Sequence, residues 1–375
     1  MSLDTDRPAP TAAEVTVDAT AMVFAGPGLP LESVTVPKLT LRRGEVVVEV
    51  ELSTVCGSDV HTVRGDRHEP TPLVLGHESV GRVAAVGQDA PVACGDRVVW
   101  SVAAHCGHCD RCRRGIPQKC RHLRKYGHQQ IQPDWVLSGG FATHMHLVEG
   151  TPIVKVPHEI PSAVLAPAGC GIATAWAALG AAERSLDLGR AHVLLSGAGL
   201  IGLTACAMAR ERGARVTVVD PSPGRRYLAT RFGADEVLTP DALAQNRSGK
   251  HPGPAGDIDV VVEASGSPAA VRTALDVTAV GGCVVLVGSV FPTDPVDVAP
   301  ERVVRGLLTV TGVHNYAPDD LREATNFLVR HWKDYPFDEF VEATYPLEDL
   351  DAALQRAALQ REVRVGVTPR VGSAS

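Results

Sequence analysis

The sequence predicts an α/β fold in two parts, a β-rich domain and a doubly wound parallel sheet. Three observations carry this. Residues 21–100 and 141–148 read as short β-type runs split by Gly and Pro turns, such as the alternating E-V-V-V-E-V-E-L at 45–52. From about residue 160 strand and helix patterns alternate, and the strands are Val-rich, as strands buried on both faces are. One strand-to-helix junction in that half carries the glycine-rich segment G-A-G-L-I-G at 197–202.

Residues 1–18 are polar and rich in Pro, Thr and Ala, and read as a loose, flexible extension. Strand-like runs follow at 45–52, 79–86, 97–102 and 141–148. An Ala-rich helix over 165–182, starting after Pro167, leads into the alternating half. There the pattern gives strand 193–196, helix 200–212, strand 215–219, helix 223–232, strand 258–263, helix 268–278 and strands 283–287 and 307–313. Helix patterns at 318–331 and 347–360 and a strand at 362–368 close the chain, and residues 245–256 (Q-N-R-S-G-K-H-P-G-P-A-G) read as a surface loop. The expected organisation is an extension over 1–18, a β-rich domain over 19–165 and 310–375, and a sheet domain over 166–309.

Of 375 residues, 45% are hydrophobic and 21% charged, which suits a globular chain and excludes a disordered or coiled-coil one. A net charge of -7 argues against charge-driven nucleic-acid binding, and 4% aromatics against a base-stacking surface. Residues 160–182 and 191–209 carry no charge and have the length of membrane spans, but Pro161 and Pro167 interrupt the first, and Gly197, Gly199 and Gly202 the second. The first 18 residues hold acidic side chains and no apolar run, so no signal peptide is read. The expectation is a cytoplasmic protein with neither a membrane nor a nucleic-acid partner. For its nine cysteines, metal ligation is then a better default than disulfides.

Strand 193–196 runs into Gly197-Ala198-Gly199-Leu200-Ile201-Gly202 and then into a helix. Gly197 permits the tight turn, Gly199 lets a pyrophosphate approach the backbone, and Gly202 lets helix and strand pack closely. The helix beginning at Leu200 turns its positive end to the phosphates. The next strand ends at Asp220, placed to accept hydrogen bonds from ribose hydroxyls and to repel a 2′-phosphate, so NAD is favoured over NADP. Arg225 and Arg226 could flank the ribose, or assist a phosphate. The rival reading has the glycines merely making a turn and Asp220 capping the next helix.

Cys106, Cys109, Cys112 and Cys120 can close a tetrahedral zinc site with four thiolates. Such a site has no open position and is structural. Arg113, Arg114 and Lys119 would soften its negative charge. An iron–sulfur cluster is the alternative, and His105, His108 and His122 read as solvated loop residues.

Three pieces remain: Cys56-Gly57-Ser58-Asp59-Val60-His61, Gly76-His77-Glu78 and Pro167-Ala168-Gly169-Cys170-Gly171. A catalytic zinc takes three protein ligands and keeps a position open. Cys56, His77 and Cys170 would provide them, although any one of them alone is better explained as a small buried residue. Cys94, Cys206 and Cys283 match no motif, and the last two read as core fillers.

In order and spacing, C-G-S-D-x-H, G-H-E, the four-cysteine lobe and G-A-G-L-I-G resemble the zinc-containing medium-chain alcohol dehydrogenases, from about Ala21 to Val371. The resemblance implies a GroES-like catalytic domain plus a doubly wound Rossmann domain, with two zinc ions per chain and NAD. It implies Cys56, His77 and Cys170 as catalytic zinc ligands, with Glu78 beside the metal as neighbour or exchanging ligand. It gives Ser58 a hydrogen bond to the substrate hydroxyl, His61 the onward passage of the proton, and Asp59 the task of orienting a ligand. Polyol dehydrogenases of the family often carry a glutamate just before the Pro; here that place is Ala166, which leaves the role to Cys170. The implied reaction is alcohol oxidation, or its reverse, with zinc as Lewis acid. A homodimer or homotetramer is implied too, with 307–313 a candidate edge strand at the subunit contact.

Residues 106–140 resemble a subgroup linked to phosphonate metabolism and enzymes acting on cyclitol or sugar-like alcohols of secondary metabolism. Arg64, His68, Lys125, His128 and Gln129 are candidates to line a polar pocket, or else surface loop residues. The leading expectation is a secondary alcohol on a polyhydroxylated substrate such as a cyclitol; a phosphonate-linked alcohol or aldehyde is second. Two rivals differ in kind. One is a zinc-free NADPH reductase of the same superfamily, which Cys56, His77 and Asp220 oppose. The other is a non-catalytic zinc protein that binds nucleotide.

Overall fold

Strand Val46–Val55 is the spine of the first half of the fold. Its burial is almost continuous because both faces are covered. Val46, Val48 and Val50 pack with Trp100, Tyr126 and Trp135, whereas Val47 packs with Leu41, Val74 and Leu137. Val46, Val47 and Val48 have no exposed surface, and each contributes on the order of 2 kcal/mol through burial. The computed structural model describes residues 13–248 and 258–369. The chain divides into two units, Met1–Gly169 with Val341–Ser375, and Cys170–Phe340.

In the first unit a seven-stranded sheet runs Ile153–Lys155, Arg97–Trp100, Glu78–Val86, Val46–Val55, Arg364–Thr368 and Val341–Pro346, with His144–Leu147 also pairing on Val46–Val55. Only the pair of Val341–Pro346 with Arg364–Thr368 is parallel. A three-stranded sheet joins Glu32–Leu41, Ala13–Phe24 and Leu73–Val74. In the second unit six parallel strands run Glu236–Leu238, Arg215–Val219, His192–Ser196, Ile258–Glu263, Thr278–Leu286 and Thr309–Gly312. By chain order this is 3-2-1-4-5-6, the dinucleotide-binding order, with its switch point at His192–Ser196 and Ile258–Glu263. Val193, Leu195, Val260, Val261 and Val262 are fully buried, so these strands show no alternation.

Several boundaries differ from the sequence expectation. Residues 13–18 are not extension, because Ala13–Phe24 is a strand registered against Glu32–Leu41; residues 1–12 lie outside the described residues. The expected return to the β-rich domain at 310 comes instead at Val341. Thr309–Gly312 pairs with Thr278–Leu286, and the amphipathic helix Pro318–His331 packs on helix Gly171–Glu183, with Phe327 and Trp176 rings 6.4 Å apart. The helix expected over 165–182 is broken into Ser162–Leu165, a tight turn Ala166–Gly169 and Gly171–Glu183. Helix Pro240–Ser248 takes the start of the loop read at 245–256, and residues 249–257 lie outside the described residues. Among the described residues no single helix is long and apolar enough to cross a membrane; the pair Ser162–Gly169 and Gly171–Glu183 approaches that length only together, and is bent by 58°.

Candidate active site

Cys56 ends the spine strand and caps helix Gly57–Arg64. Asp59, the third helical residue, is fully buried and turns its carboxylate back. One oxygen accepts from the Cys56 N–H at 2.9 Å, the other from the Gly76 N–H at 3.3 Å. One carboxylate thus joins the cysteine turn to the histidine turn, and it stands 3.6 Å from His77 Nδ1. Gly76 has φ +88°, and a Cβ there would lie 2.9 Å from the Phe141 backbone nitrogen, so only glycine fits. The buried turn Ala166–Gly169 packs against Glu78–Val86 and Arg97–Trp100 and delivers Cys170, the next residue.

The result is a cluster. Ligand atoms of Cys56, His77, Glu78 and Cys170 all lie within 4.8 Å of one another. All nine cysteines are free of disulfides. Two thiolates, an imidazole and a carboxylate form a borderline-soft donor set that fits zinc. His77 Nδ1 is buried and makes no hydrogen bond among the described residues. Burial alone would lower the His77 pKa, yet Asp59 and Cys56 raise it to about 10. The pocket therefore draws positive charge inward, the property a cation site needs.

Glu78 is fully buried, and its two oxygens are already engaged. Thr54 Oγ1 donates to Oε2 at 2.6 Å, and Arg364 bridges both oxygens at 2.6 and 2.8 Å. Burial pushes the Glu78 carboxyl up while Arg364 pulls it back. This favours Glu78 as a neighbour of the metal over a ligand. Arg364 also reaches Cys56 Sγ at 3.9 Å. Sequence reasoning missed Thr54 and Arg364; an arginine opening a buried strand was the available signal.

Ser58 and His61 stand at i and i+3 on helix Gly57–Arg64, hence on one face. Ser58 and His61 are both half-buried, and His61 pairs through Nδ1 with Asp66 Oδ2 at 3.2 Å. Of the five candidate pocket residues, the structure brings His128 to His77, the two rings 4.7 Å apart. Arg64 donates to the Ala358 carbonyl, and Gln129 accepts from the Lys125 N–H. His68 is exposed, and Lys125 is half-buried in the short strand Arg124–Lys125.

The second group of metal donors is Cys106, Cys109, Cys112 and Cys120, again within 4.8 Å. Sulfur separations are 3.5 Å for Cys109–Cys112 and Cys106–Cys120, and 3.8 Å for Cys109–Cys120. Four zinc–sulfur bonds of about 2.3 Å in a tetrahedron give edges of about 3.8 Å. Backbone N–H groups of Arg121 and Cys112 hold Cys109 down at about 6, whereas partial desolvation and the neighbouring thiols Cys109 and Cys120 push Cys112 up to about 12. Four thiolates this close need a cation to ionise together. His105, His108 and His122 do not join the sulfur group; the last two rings stack at 6.3 Å.

In the second unit strand His192–Ser196 enters the glycine turn, and helix Leu200–Glu211 leaves it. A Cβ on Gly202 would lie 1.8 Å from the Gly197 carbonyl oxygen, so helix and turn meet only with glycine there. Leu200 and Ile201 open the helix, with Leu200 buried. A Cβ on Gly199 would meet nothing within 4 Å, which leaves the backbone there approachable. Asp220 accepts from the Ala198 N–H and the Ser222 N–H, both at 2.8 Å. Ser222, not Asp220, caps helix Pro223–Arg231, by accepting from the Arg225 N–H at 3.4 Å. Arg226 donates to the Asp220 carbonyl at 2.7 Å.

Comparison with known proteins agrees with this geometry. Residues 42–158 match the alcohol dehydrogenase GroES-like domain, and residues 201–330 match the zinc-binding dehydrogenase domain. A geraniol dehydrogenase of Castellaniella defragrans is 31% identical over 359 residues, covering 90% of this chain and 94% of its own. The chain belongs to the zinc-binding alcohol dehydrogenase family. An L-threonine 3-dehydrogenase of Saccharopolyspora erythraea is 34% identical over 78% of this dehydrogenase and 83% of its own chain. The crystal structure of an alcohol dehydrogenase from Thermotoga maritima superposes with a TM-score of 0.87 at 28% identity, covering 94% and 99% of the two chains. The dehydrogenase thus has the GroES-like plus Rossmann fold. It is an oxidoreductase acting on CH–OH groups of small molecules, with zinc and a nicotinamide dinucleotide as cofactors.

Proposed function

We propose that this dehydrogenase oxidises a secondary alcohol on a polar, polyhydroxylated substrate of cyclitol or sugar-like type with NAD, or reduces the matching ketone. The observation that carries the reaction is the cluster of Cys56, His77, Cys170 and Glu78 beside the helix bearing Ser58 and His61. When bound, zinc lowers the alcohol pKa and NAD accepts the hydride. Ser58 orients the substrate hydroxyl and takes its proton; His61, held by Asp66, passes it onward by way of the nicotinamide ribose. Asp59 keeps His77 in place. A polar substrate is supported by His128, which lies against the ring of His77 where an apolar pocket would carry an aliphatic side chain.

Assay of the zinc-loaded protein on inositols, valienol-type cyclitols, hydroxyalkylphosphonates, L-threonine, geraniol and simple alcohols, with NAD and NADP, tests this. Turnover of a cyclitol with NAD is expected. No activity on any cyclitol sinks the substrate assignment, and activity on hydroxyalkylphosphonates alone replaces it with the phosphonate reading. A non-catalytic nucleotide-binding protein would show no hydride transfer on any of them.

Asp220 is the proposed selector for NAD, together with the turn from Gly197 to Gly202 and Arg225. Asp220→Ser removes a charge that would oppose a 2′-phosphate, so kcat/KM with NADP relative to NAD is expected to rise about tenfold or more. An unchanged ratio overturns that role. A cytoplasmic location and a homodimer or homotetramer complete the proposal. The exposed edge strand Thr309–Gly312, with Leu307 71% and Val310 44% exposed, is the face offered for self-association.

A further inference from the structure

Two segments meet beside His77. One is the loop that follows helix Gly57–Arg64; the other is the stretch beyond the cysteine lobe. The Ile131 N–H donates to the Pro72 carbonyl at 2.8 Å, and Gln130 Nε2 to the Thr71 carbonyl at 2.6 Å. Within this contact lies a row of buried and half-buried polar side chains. Arg67 Nη2 is 2.5 Å from Glu69 Oε1, and the same oxygen is 3.2 Å from His128 Nδ1. The three side chains are 23%, 13% and 4% exposed. The row ends on the metal site, where the His128 and His77 rings lie 4.7 Å apart, tilted by 38°. It begins on the proton-relay helix, because the Arg67 N–H donates to the His61 carbonyl at 3.1 Å.

Such a row is a poor device for stability. Withdrawing charged groups from water offsets most of their attraction, and apolar side chains of similar size hold a fold as well or better. The backbone and amide bonds above already dock the two segments. What the row adds is direction, since it gives the His128 ring one place against His77. Asp59 stands 3.6 Å from His77 Nδ1, and His128 meets the His77 ring directly. Groups that hold a metal-ligating histidine typically govern metal affinity about 10–100-fold.

We propose that Glu69 and His128 are positioning residues for the catalytic metal, Glu69 holding His128 and His128 holding His77 in its ligating orientation. The inference rests on Cys56, His77 and Cys170 as the ligand set. It is tested on the full-length protein with Glu69→Gln, Glu69→Asp and His128→Phe. Zinc affinity is measured by chelator competition, with the four-cysteine zinc as internal reference, alongside the visible spectrum of the cobalt-substituted enzyme, kcat and KM. Glu69→Gln is expected to weaken the catalytic zinc about 10–100-fold, shift the cobalt bands and lower kcat more than it changes KM, while the four-cysteine zinc stays. His128→Phe keeps a ring but loses the polar contact with Glu69 and should move in the same direction; Glu69→Asp should recover most of the loss. Wild-type zinc affinity and cobalt spectrum in both Glu69→Gln and His128→Phe overturn the inference, as does joint loss of both zincs with a lowered Tm. A wild-type protein that binds only the four-cysteine zinc overturns the ligand set itself, and this inference with it.

Discussion

His77→Ala is expected to abolish turnover while leaving the fold in place. The substitution removes the only imidazole from the donor cluster and leaves two thiolates and a carboxylate already engaged by Thr54 and Arg364. It also leaves Asp59 buried with its His77 partner gone. Lewis-acid activation of an alcohol supplies several kcal/mol, and each 1.36 kcal/mol is tenfold in rate, so kcat should fall by about 10³-fold or more. The backbone around the position has its own supports. The Gly140 N–H donates to the Gly76 carbonyl at 2.7 Å, the Phe141 N–H to the Leu75 carbonyl at 3.0 Å, and Asp59 still receives the Gly76 N–H. Far-UV circular dichroism should therefore be unchanged. Mass-spectrometric metal counting should fall from about two zinc ions per chain to about one, in line with one open and one closed site. Surviving turnover would show that His77 is not a ligand of the catalytic metal.

What the sequence made legible was local. The glycine turn could be read because strand, turn, helix and Asp220 follow one another within a single unit of the fold. The four cysteines could be read because their spacing alone brings the sulfurs together. The catalytic ligands could not be derived this way: Cys56, His77 and Cys170 come from three separate segments, and only their likeness in order to a known family joined them. Longer-range partners left no trace. Glu78 meets Arg364 across a separation of 286 residues, and no periodicity connects the opening of one strand to the opening of the last. Glu69 is likewise an ordinary loop residue until the two segments dock, and His128 stood out only as one of five candidates for a polar pocket. The domain return was misplaced because the apolar stripe of helix Pro318–His331 says that it must be buried, not on which partner. Phe327 found Trp176 and Phe337 in the nucleotide-binding unit, and the chain crosses back only at Val341.

Cys112→Ser is expected to act on stability before it acts on chemistry. The lobe it belongs to has almost no core of its own. Neither the helix Asp110–Arg113 nor the turn Pro117–Lys119 buries a residue, and only Cys120 among the four ligands is buried. Surface pairs such as Arg121 with Asp110 contribute little in water. A metal bound by four thiolates is then what holds the lobe, and its binding free energy is folding free energy. Serine replaces a thiolate by a poor zinc ligand, and the remaining three sulfurs stand in an opened loop. Because the lobe can unfold locally, the loss shows as a fraction of the full metal-binding energy, about 3 kcal/mol, and lowers Tm by roughly 4 °C for a chain of this size. Limited proteolysis should cut within residues 106–121, where the wild type resists. One zinc should be lost and the other kept, with turnover retained at temperatures well below the new Tm. The two variants therefore separate the two sites: His77→Ala removes the chemistry and keeps the fold, whereas Cys112→Ser weakens the fold and keeps the chemistry. If Cys112→Ser retained both zinc ions and the wild-type Tm, the four-cysteine cluster would not be a structural metal site.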